Sequence, residues 1–239
     1  MNITLLWSVN SDGKIPTKGI TGVTDVVAAT FNTLALLARA KKLYIVRDNA
    51  SALRALKMFP GSLLVGESTE PGLPFICPNS PPKVMKLDVT GKTVIQKTNN
   101  GTTAVADAIA RGASPVFAFH WANLATTAKW LTSLLPSKVT LIASGGREEV
   151  FKPHRGHLLE DWYCAEALKK ILQGEEVDYE NYFKMSRQSI LKQYPKGDPS
   201  AETLDLVLQK KEVFAQVVPL FQDIGQGVYK VANIMRVSY

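Results

Sequence analysis

Hydrophobic positions before residue 174 fall into short runs that are separated by segments with helical periodicity. The apolar runs predict strands at residues 3–8, 19–25, 43–47, 63–67, 92–97, 115–119 and 139–143. Amphipathic segments between them, such as 30–41 and 50–58, predict helices. Strands that alternate with helices are typical of an α/β fold, so we expect a layered α/β/α architecture with a mostly parallel sheet.

The pattern changes after residue 174. Residues 174–195 and 200–225 have helical patterns, and residues 228–237 predict a closing strand. We therefore predict an α/β body over residues 1–174. A mainly helical C-terminal extension, residues 175–239, is expected to pack on this body.

The composition is that of a soluble globular protein, since 46% of the 239 residues are hydrophobic and 21% are charged. No apolar run reaches the roughly 18 residues that a membrane-spanning helix needs. The first residues lack the pattern of a signal peptide, and two cysteines do not indicate a disulfide framework. We expect a cytoplasmic protein that does not bind membranes.

The charge balance gives a formal net charge of +7, from 28 Lys and Arg residues against 21 Asp and Glu residues. The basic residues are scattered, and neither a basic patch with aromatic residues nor a nucleic-acid-binding module is visible in the sequence. We expect no nucleic-acid partner. The surplus charge is interpreted as an attraction for small anionic molecules.

Acidic residues occur where two predicted strands end and where a later helix begins. Asp25 and Glu67 close the strands, and Glu160 and Asp161 open the helix. Helix capping is the ordinary role of acids in a first turn, and metal binding is the alternative. The carboxyl ends of parallel strands share one edge of a sheet. Four carboxylates gathered there would need a cation, and an oxygen-only ligand set suits magnesium.

Two glycine-containing turns could approach an anion. Asn100, Gly101 and Thr102 lie between a predicted strand and a predicted helix, whose first N–H groups can bind a phosphate. The alternative is an ordinary turn in which Thr102 is the helix N-cap. Gly145 and Arg147 follow another strand, and they form either a flexible turn or an approach that brings an arginine to an anion.

Other chemistries find little support in the sequence. The Gly-x-Ser-x-Gly motif of serine hydrolases, the P-loop motif and paired cysteines with zinc spacing are all absent. His154, Arg155 and His157 form a cationic segment before the helix that Glu160 opens. We interpret them as surface loop residues, and contact with an anionic substrate is the alternative.

The segments discussed above, taken in chain order, resemble one family: the magnesium-dependent 2-phosphosulfolactate phosphatases of coenzyme M biosynthesis. The similarity runs from about residue 22 to residue 173. The matching segments, with the family pattern in parentheses, are 25–30 (Asp-Val-Leu-Arg-Ala-Thr), 66–67 (Gly-Glu), 79–81 (Asn-Ser-Pro), 97–102 (Thr-Thr-Thr-Asn-Gly-Thr), Asn123, 145–147 (Gly-Thr-Arg) and 160–165 (Glu-Asp-x-x-Cys-Ala). Each segment is short, but their shared order and compatible spacing are specific for the fold.

The resemblance implies magnesium-dependent hydrolysis of a phosphate monoester on a small acidic organic molecule, and family habit favours a homodimer. It implies catalytic roles for Asp25, Glu160 and Asp161, and metal binding by these three acids together with Glu67. Which acid is the nucleophile and which is the general base stays open. The implied phosphate- or substrate-binding residues are Thr30, Asn79, Ser80, Asn100, Gly101, Thr102, Asn123, Gly145 and Arg147.

Three positions depart from the family pattern. Ala28 replaces an arginine in the first motif, Ile76 replaces an aspartate, and Pro78 replaces a glycine. Alanine cannot replace the charge-assisted hydrogen bonds of an arginine at an anion site. One hypothesis is that Arg147 or Arg155 restores the missing charge. The alternative function is that of a homologue with altered or lost catalysis that binds a small organic anion.

Overall fold

Strands and helices alternate along the computed structural model, which describes residues 1–8, 18–68, 71–145, 159–194 and 197–236. The strands are β1 (Asn2–Trp7), β2 (Ile20–Thr24), β3 (Lys42–Val46), β4 (Leu63–Gly66), β5 (Cys77–Pro78), β6 (Thr93–Lys97), β7 (Val116–Ala118), β8 (Lys138–Ala143), β9 (Pro219–Asp223) and β10 (Val228–Asn233). The helices are α1 (Ala29–Leu37), α2 (Asn49–Met58), α3 (Pro81–Lys86), α4 (Gly101–Ala110), α5 (Leu124–Ser133), α6 (Leu159–Gln173), α7 (Tyr179–Gln193) and α8 (Thr203–Phe214).

The described strands form one sheet in the order β1-β8-β2-β7-β9-β10-β3-β6-β4-β5. The strands β1, β8, β2 and β7 pair in parallel, and so do β3, β6, β4 and β5. Between these two groups lie β9 and β10, which make only antiparallel pairs. Helices flank this mostly parallel sheet, which confirms the predicted α/β fold.

The chain after residue 174 contributes central strands as well as helices. The antiparallel strands β9 and β10 join the two parallel groups in the middle of the sheet. The helical prediction for residues 200–225 is therefore wrong beyond Phe214, where α8 ends. Val217, Val218 and Pro219 favour an extended chain, because β-branched residues suit strands and proline cannot continue a helix. The boundary between body and extension at residue 174 stays a prediction.

Helix α1 is buried along almost its whole length. Apolar side chains such as Phe31 and Leu34 are buried there together with polar ones such as Asn32, so α1 lies inside the protein. Its first residue comes four positions after Asp25. The N-terminus of α1 is therefore fixed by the core at the end of β2.

Two further observations, on membrane spans and on the cysteines, concern the described ranges. No helix there is long and apolar enough to cross a membrane. Cys77 and Cys164 are both buried as free thiols. The cytoplasmic location itself stays a prediction.

Candidate active site

Asp25 follows β2 directly and is only 6% exposed. Its Oδ1 accepts a hydrogen bond of 3.1 Å from the backbone N–H of Ala29, in the first turn of α1. The backbone of Gly101, at the start of α4, also bonds to this carboxylate. The N-termini of two helices thus converge on one buried acid, an arrangement that favours negative charge.

Burial raises the pKa of Asp25 from its usual 3.8 to about 6. The negative charge of Glu67 adds to this effect, and the hydrogen bonds from Ala29 and Gly101 oppose it. The charge of Glu67 is therefore close enough to Asp25 to disfavour its ionisation.

Gly101 has to be a glycine for α4 to approach Asp25 so closely. A Cβ atom at this position would lie 2.6 Å from the Cβ of Ala29 and 2.9 Å from Oδ2 of Asp25. Both distances are shorter than ordinary van der Waals contact. The glycine predicted for the phosphate turn therefore lets the helix N-terminus reach the acid.

Threonine side chains stabilise two turns: the one after β2 that contains Asp25, and the one that joins β6 to α4. The Oγ1 of Thr30 accepts a bond of 2.9 Å from the N–H of Asp25, and the N–H of Thr30 donates back to the carbonyl oxygen of Asp25. Thr102 and Thr98 each accept the other's N–H at 3.0 Å. The N-cap of α4 is Asn100, which makes no capping bond with its side chain. Thr30 and Thr102 thus brace the site from within the chain.

Asp161, in the first turn of α6, connects two strand ends. Its Oδ1 accepts the N–H of Val26 at 2.6 Å, and its Oδ2 accepts the N–H of Gly145 at 3.1 Å. Burial raises the pKa of Asp161 well above its usual value, and the charges of Asp25 and Glu160 raise it further. Asp161 therefore neighbours Asp25 and fixes the loop that carries it.

Glu160 lies beside Asp161 in sequence but points elsewhere. Its side chain is fully buried, and its Oε2 accepts a bond of 2.7 Å from the hydroxyl of Ser189 on α7. Consecutive residues of a helix are about 100° apart, so the two acids face different neighbours. Glu160 fastens α7 to α6, and Asp161 faces the strand ends.

The four acids do not gather into one ligand set. Within the described residues, no group of three or more His, Cys, Asp and Glu side chains is placed to hold a metal ion. The charge of Glu67 raises the pKa of Asp25, and the charge of Asp25 raises the pKa of Asp161. Magnesium often takes only one or two protein carboxylates, with water and substrate phosphate completing its coordination. Asp25 and Glu67 are two carboxylates of the kind that such a site uses.

Comparison with known proteins identifies the family. The sequence pattern of a family described as 2-phosphosulpholactate phosphatase matches residues 9–208, which is most of the chain. The chain belongs to this family.

Two relatives support this assignment. The chain is 30% identical over 159 residues to the probable 2-phosphosulfolactate phosphatase of Bacillus subtilis, which covers 65% of this chain and 64% of that protein. It is 28% identical over 169 residues to the probable 2-phosphosulfolactate phosphatase of Thermoplasma acidophilum, which covers 70% of this chain and 71% of that protein. The matched part is slightly less than two thirds of the Bacillus protein.

Two positions that depart from the family pattern, Ala28 and Ile76, differ in burial. Ala28 is buried as the N-cap of α1 and brings no charge to the Asp25 turn. Ile76 is 51% exposed. The nearby Asn79 accepts a bond of 2.7 Å from the amide of Asn32 on α1, and Ser80 is the N-cap of α3. The loop that contains Asn79 thus reaches the helix that begins at the Asp25 turn.

Asn123, a predicted substrate residue, is engaged within the protein. Its Oδ1 accepts the N–H of His120 at 2.7 Å, and its Nδ2 donates to the carbonyl oxygen of Val217 at 2.8 Å. It joins the end of β7 to the C-terminal segment.

Gly145 has a positive φ of 57° and donates to Asp161. Arg147 and the predicted loop residues His154, Arg155 and His157 lie outside the described residues.

Three residues near the acids were not among the predicted site residues. His120 is fully buried and its Nε2 lies 3.2 Å from the carbonyl oxygen of Val26, and burial lowers its pKa to about 4. Tyr194, after α7, lies near several acids, and burial together with their charges raises its pKa. Lys97 is buried at the end of β6. The sequence gives a signal for His120 and Lys97, because each stands at the end of an apolar run that predicts a strand. It gives none for Tyr194, which is far along the chain from the acids.

Proposed function

We propose that the protein hydrolyses the phosphate monoester of a small acidic organic molecule, as the names of its relatives describe for 2-phosphosulfolactate. In this reaction water takes the place of the organic alcohol at phosphorus. The bond between phosphorus and the ester oxygen breaks, and the products are the alcohol and inorganic phosphate. The observation that carries the proposal is the convergence of two helix N-termini on the buried Asp25.

The positive ends of the α1 and α4 dipoles would stabilise a phosphoryl group that lies beside Asp25. These dipoles are fixed before substrate arrives, so they act on the charge that develops at the phosphoryl oxygens without rearranging. Asp25 would act on the attacking water as a general base, or attack phosphorus itself as a nucleophile. Asp161 supports both roles because it holds the Asp25 loop through the N–H of Val26.

Magnesium is part of the proposal, with Asp25 and Glu67 as the residues that would hold it. A bound magnesium ion would supply Lewis-acid polarisation of the phosphoryl oxygens. The neighbouring carboxylates support this assignment, because the charge of Glu67 disfavours ionisation of Asp25 unless a cation is present.

The test is a phosphate-release assay on the purified chain. The substrates are 2-phosphosulfolactate, phosphoglycolate and p-nitrophenyl phosphate, each with magnesium and after treatment with EDTA. We expect release from 2-phosphosulfolactate that requires magnesium. Phosphate release from none of the three substrates would contradict the proposal.

A second candidate function is binding of a small organic anion without hydrolysis. It is favoured by Asp161, whose two carboxylate oxygens both accept backbone N–H groups. The same substrates discriminate the two functions. Calorimetric binding of 2-phosphosulfolactate without phosphate release would favour the second function over the first.

A further inference from the structure

A cavity of about 520 Å³ lies between α5, α7 and α8. Its volume is within the roughly 300–1,000 Å³ that small-molecule sites occupy. None of the four acids of the candidate active site, which are all among the described residues, lines it. The chain enters the cavity at Trp121, directly after His120, whose ring contacts the carbonyl oxygen of Val26. The cavity is therefore distinct from the candidate active site, although the chain that forms it starts next to the Asp25 turn.

Most of the cavity wall is apolar or aromatic. Trp121 and Phe183 meet edge to face, with ring centroids 6.1 Å apart and an interplanar angle of 77°. The ring of Tyr179 and the aliphatic side chains of Leu124 and Val207 also line the cavity. Aromatic rings pack well against other rings in offset-stacked or edge-to-face arrangements. The wall thus favours a ligand with a planar apolar body.

The first turn of α5 brings unpaired hydrogen-bond donors to this cavity. Leu124, Ala125 and Thr126 line it, and the first N–H groups of a helix have no partner within the helix. Within the described ranges these three N–H groups bond to nothing else, and the N-cap Asn123 does not cap them because its side chain is bonded elsewhere. No acid lies in this turn. An anionic group of a ligand would therefore find donors and a favourable helix dipole here.

Trp121 adds a further donor. Its side chain is 7% exposed, and its indole Nε1 is buried without a hydrogen-bond partner among the described residues. The N–H group of a buried tryptophan usually has an acceptor. This observation is independent of the helix start, and it also points to a ligand that carries a hydrogen-bond acceptor.

The charges of the lining restrict the ligand further. Among the described residues, Lys211 on α8 and Glu180 on α7 are the charged side chains that line the cavity, and both are exposed. The positive charge of Lys211 adds to the attraction for one anionic group, whereas Glu180 disfavours a second one. A phosphate monoester of an acidic alcohol carries several negative charges and would be a poor ligand. The charges instead suit a molecule with a single negative charge.

We propose that this cavity binds a small monocarboxylate with a planar aromatic body. The carboxylate accepts hydrogen bonds from the first N–H groups of α5 and lies near the ammonium group of Lys211, and the ring packs against Trp121 and Phe183. The inference goes beyond the proposed function and does not depend on it, because no acid of the candidate active site takes part.

Titration calorimetry with indole-3-acetate tests the binding. Indole-3-acetamide, which has the same aromatic body without the charge, is the matched ligand. We expect the wild type to bind the acid about tenfold more tightly than the amide, because hydrogen bonds to a charged group are about twice as strong as neutral ones. Equal binding of the two ligands would overturn the inference, and so would binding of neither.

Substitutions test the two parts of the site. K211M should weaken binding of the acid by about fivefold and leave the amide unaffected, because an exposed charge contributes little. K210M removes the neighbouring charge of α8, which does not line the cavity, and should bind like the wild type. F183A should weaken binding of both ligands by about tenfold. If F183A unfolds, F183L takes its place as the variant without an aromatic ring.

The same variants can refute the site. Equal affinity of K211M and K210M for the acid would contradict the contact with Lys211 and overturn the inference. Wild-type affinity of a folded F183A or F183L would contradict the aromatic wall and overturn it as well.

Amide NMR spectra locate the carboxylate. Indole-3-acetate should shift the amide signals of Leu124, Ala125 and Thr126 more than indole-3-acetamide does. The control is the amide of Asn181 at the start of α7, which already donates to the side chain of Asp178 at 3.0 Å. Its signal should respond equally to both ligands. Shifts that leave the first turn of α5 unaffected would overturn the inference.

A second copy of the chain is the alternative occupant, because Leu208 in the cavity lining is 56% exposed. In that case the wild type would sediment as a dimer, L208E would dissociate it, and indole-3-acetate would not bind. This outcome would overturn the inference. Binding of indole-3-acetate without a change in the sedimenting species would support it.

Discussion

The Asp25 region and the Lys97 region lie at the ends of β2 and β6 and bury charges of opposite sign. Asp25 accepts bonds from the backbone at the starts of α1 and α4. Lys97 donates to the oxygens of Glu67 and Asn99. The same physical requirement, compensation of a buried charge, is thus met by donors in one region and by acceptors in the other.

The two regions also differ in how they are held. The Asp25 turn depends on distant parts of the chain, through Asp161 on α6 and His120 after β7. The Lys97 region is built from the neighbouring ends of β4 and β6. Substitutions on α6 or after β7 should therefore change the position of Asp25 more than that of Lys97.

The largest effect is expected for Asp161→Ala. This change leaves the N–H groups of Val26 and Gly145 without their acceptor, and each unsatisfied buried group costs about 1–3 kcal/mol. Phosphate release should fall by about 100-fold, because displacement of a catalytic group by about 1 Å has an effect of that order. Kinetics and urea unfolding measure the two effects. Asp88→Ala, an exposed acid, is the control; equal activity of both variants would contradict the role of Asp161.

Gly101→Ala should have a smaller effect on the same region. The added methyl group would press on Ala29 and Asp25, and overpacking of this kind costs about 1–3 kcal/mol. Activity should fall by about tenfold as α4 moves away, since rates are sensitive to small displacements. Gly61→Ala receives the same methyl group where no atom lies within 4 Å, but at a positive φ of 78°. The Gly61→Ala variant should lose stability and keep its activity. An equal loss of activity in both variants would refute the explanation that the methyl group at Gly101 moves α4 away from Asp25.

His120 gives the Asp25 region a pH-dependent stability. The folded pKa of His120 is about 4, against a usual 6.5, because its ring is buried. The unfolded chain therefore binds a proton before the folded chain does as the pH falls from 6.5 to 4. The resulting loss of stability is at most about 3 kcal/mol. Asp25 acts in the opposite direction, because its raised pKa favours the folded state at low pH and this stabilisation is lost as the pH rises through about 6.

The comparison of His120→Gln with the wild type isolates the histidine from Asp25. Glutamine can still donate to the carbonyl oxygen of Val26 but does not titrate. Urea unfolding at a series of pH values should give a difference between the two proteins that shrinks or reverses in sign below pH 6.5, as the wild type loses stability. A difference that is constant from pH 7 to pH 4.5 would show that His120 does not contribute.

Much of the fold follows from local patterns, whereas the neighbours of each strand do not. Apolar runs locate β2, β3, β4 and β6, because burial of a strand leaves a local signature in the sequence. The pairing of β9 and β10 between β7 and β3 depends on contacts between residues far apart, and no periodicity encodes it. The helix predicted to extend to residue 225 failed for a different reason, because its helical pattern was given more weight than the local preference of Val217, Val218 and Pro219 for an extended chain.

The candidate site shows the same limit. Asp25 and Glu67 were predictable as strand-end acids, and the charge of Glu67 raises the pKa of Asp25. The roles of Asp161 and Glu160 were harder to separate, because adjacent positions in a helix give no indication of which acid meets a strand end and which meets Ser189. Lys97 was passed over since a lysine at a strand end is usually exposed, and only the structure shows its burial.

The most direct test of the account compares phosphate release from 2-phosphosulfolactate by the wild type and by Asp25→Asn. Asparagine keeps the size of the side chain and can still accept the N–H of Ala29, so the variant should fold. Loss of a general base or nucleophile should lower kcat by about 100- to 10,000-fold while the unfolding midpoint in urea stays close to that of the wild type. A folded variant with near-normal kcat would contradict the central claim that the buried Asp25 performs the chemistry.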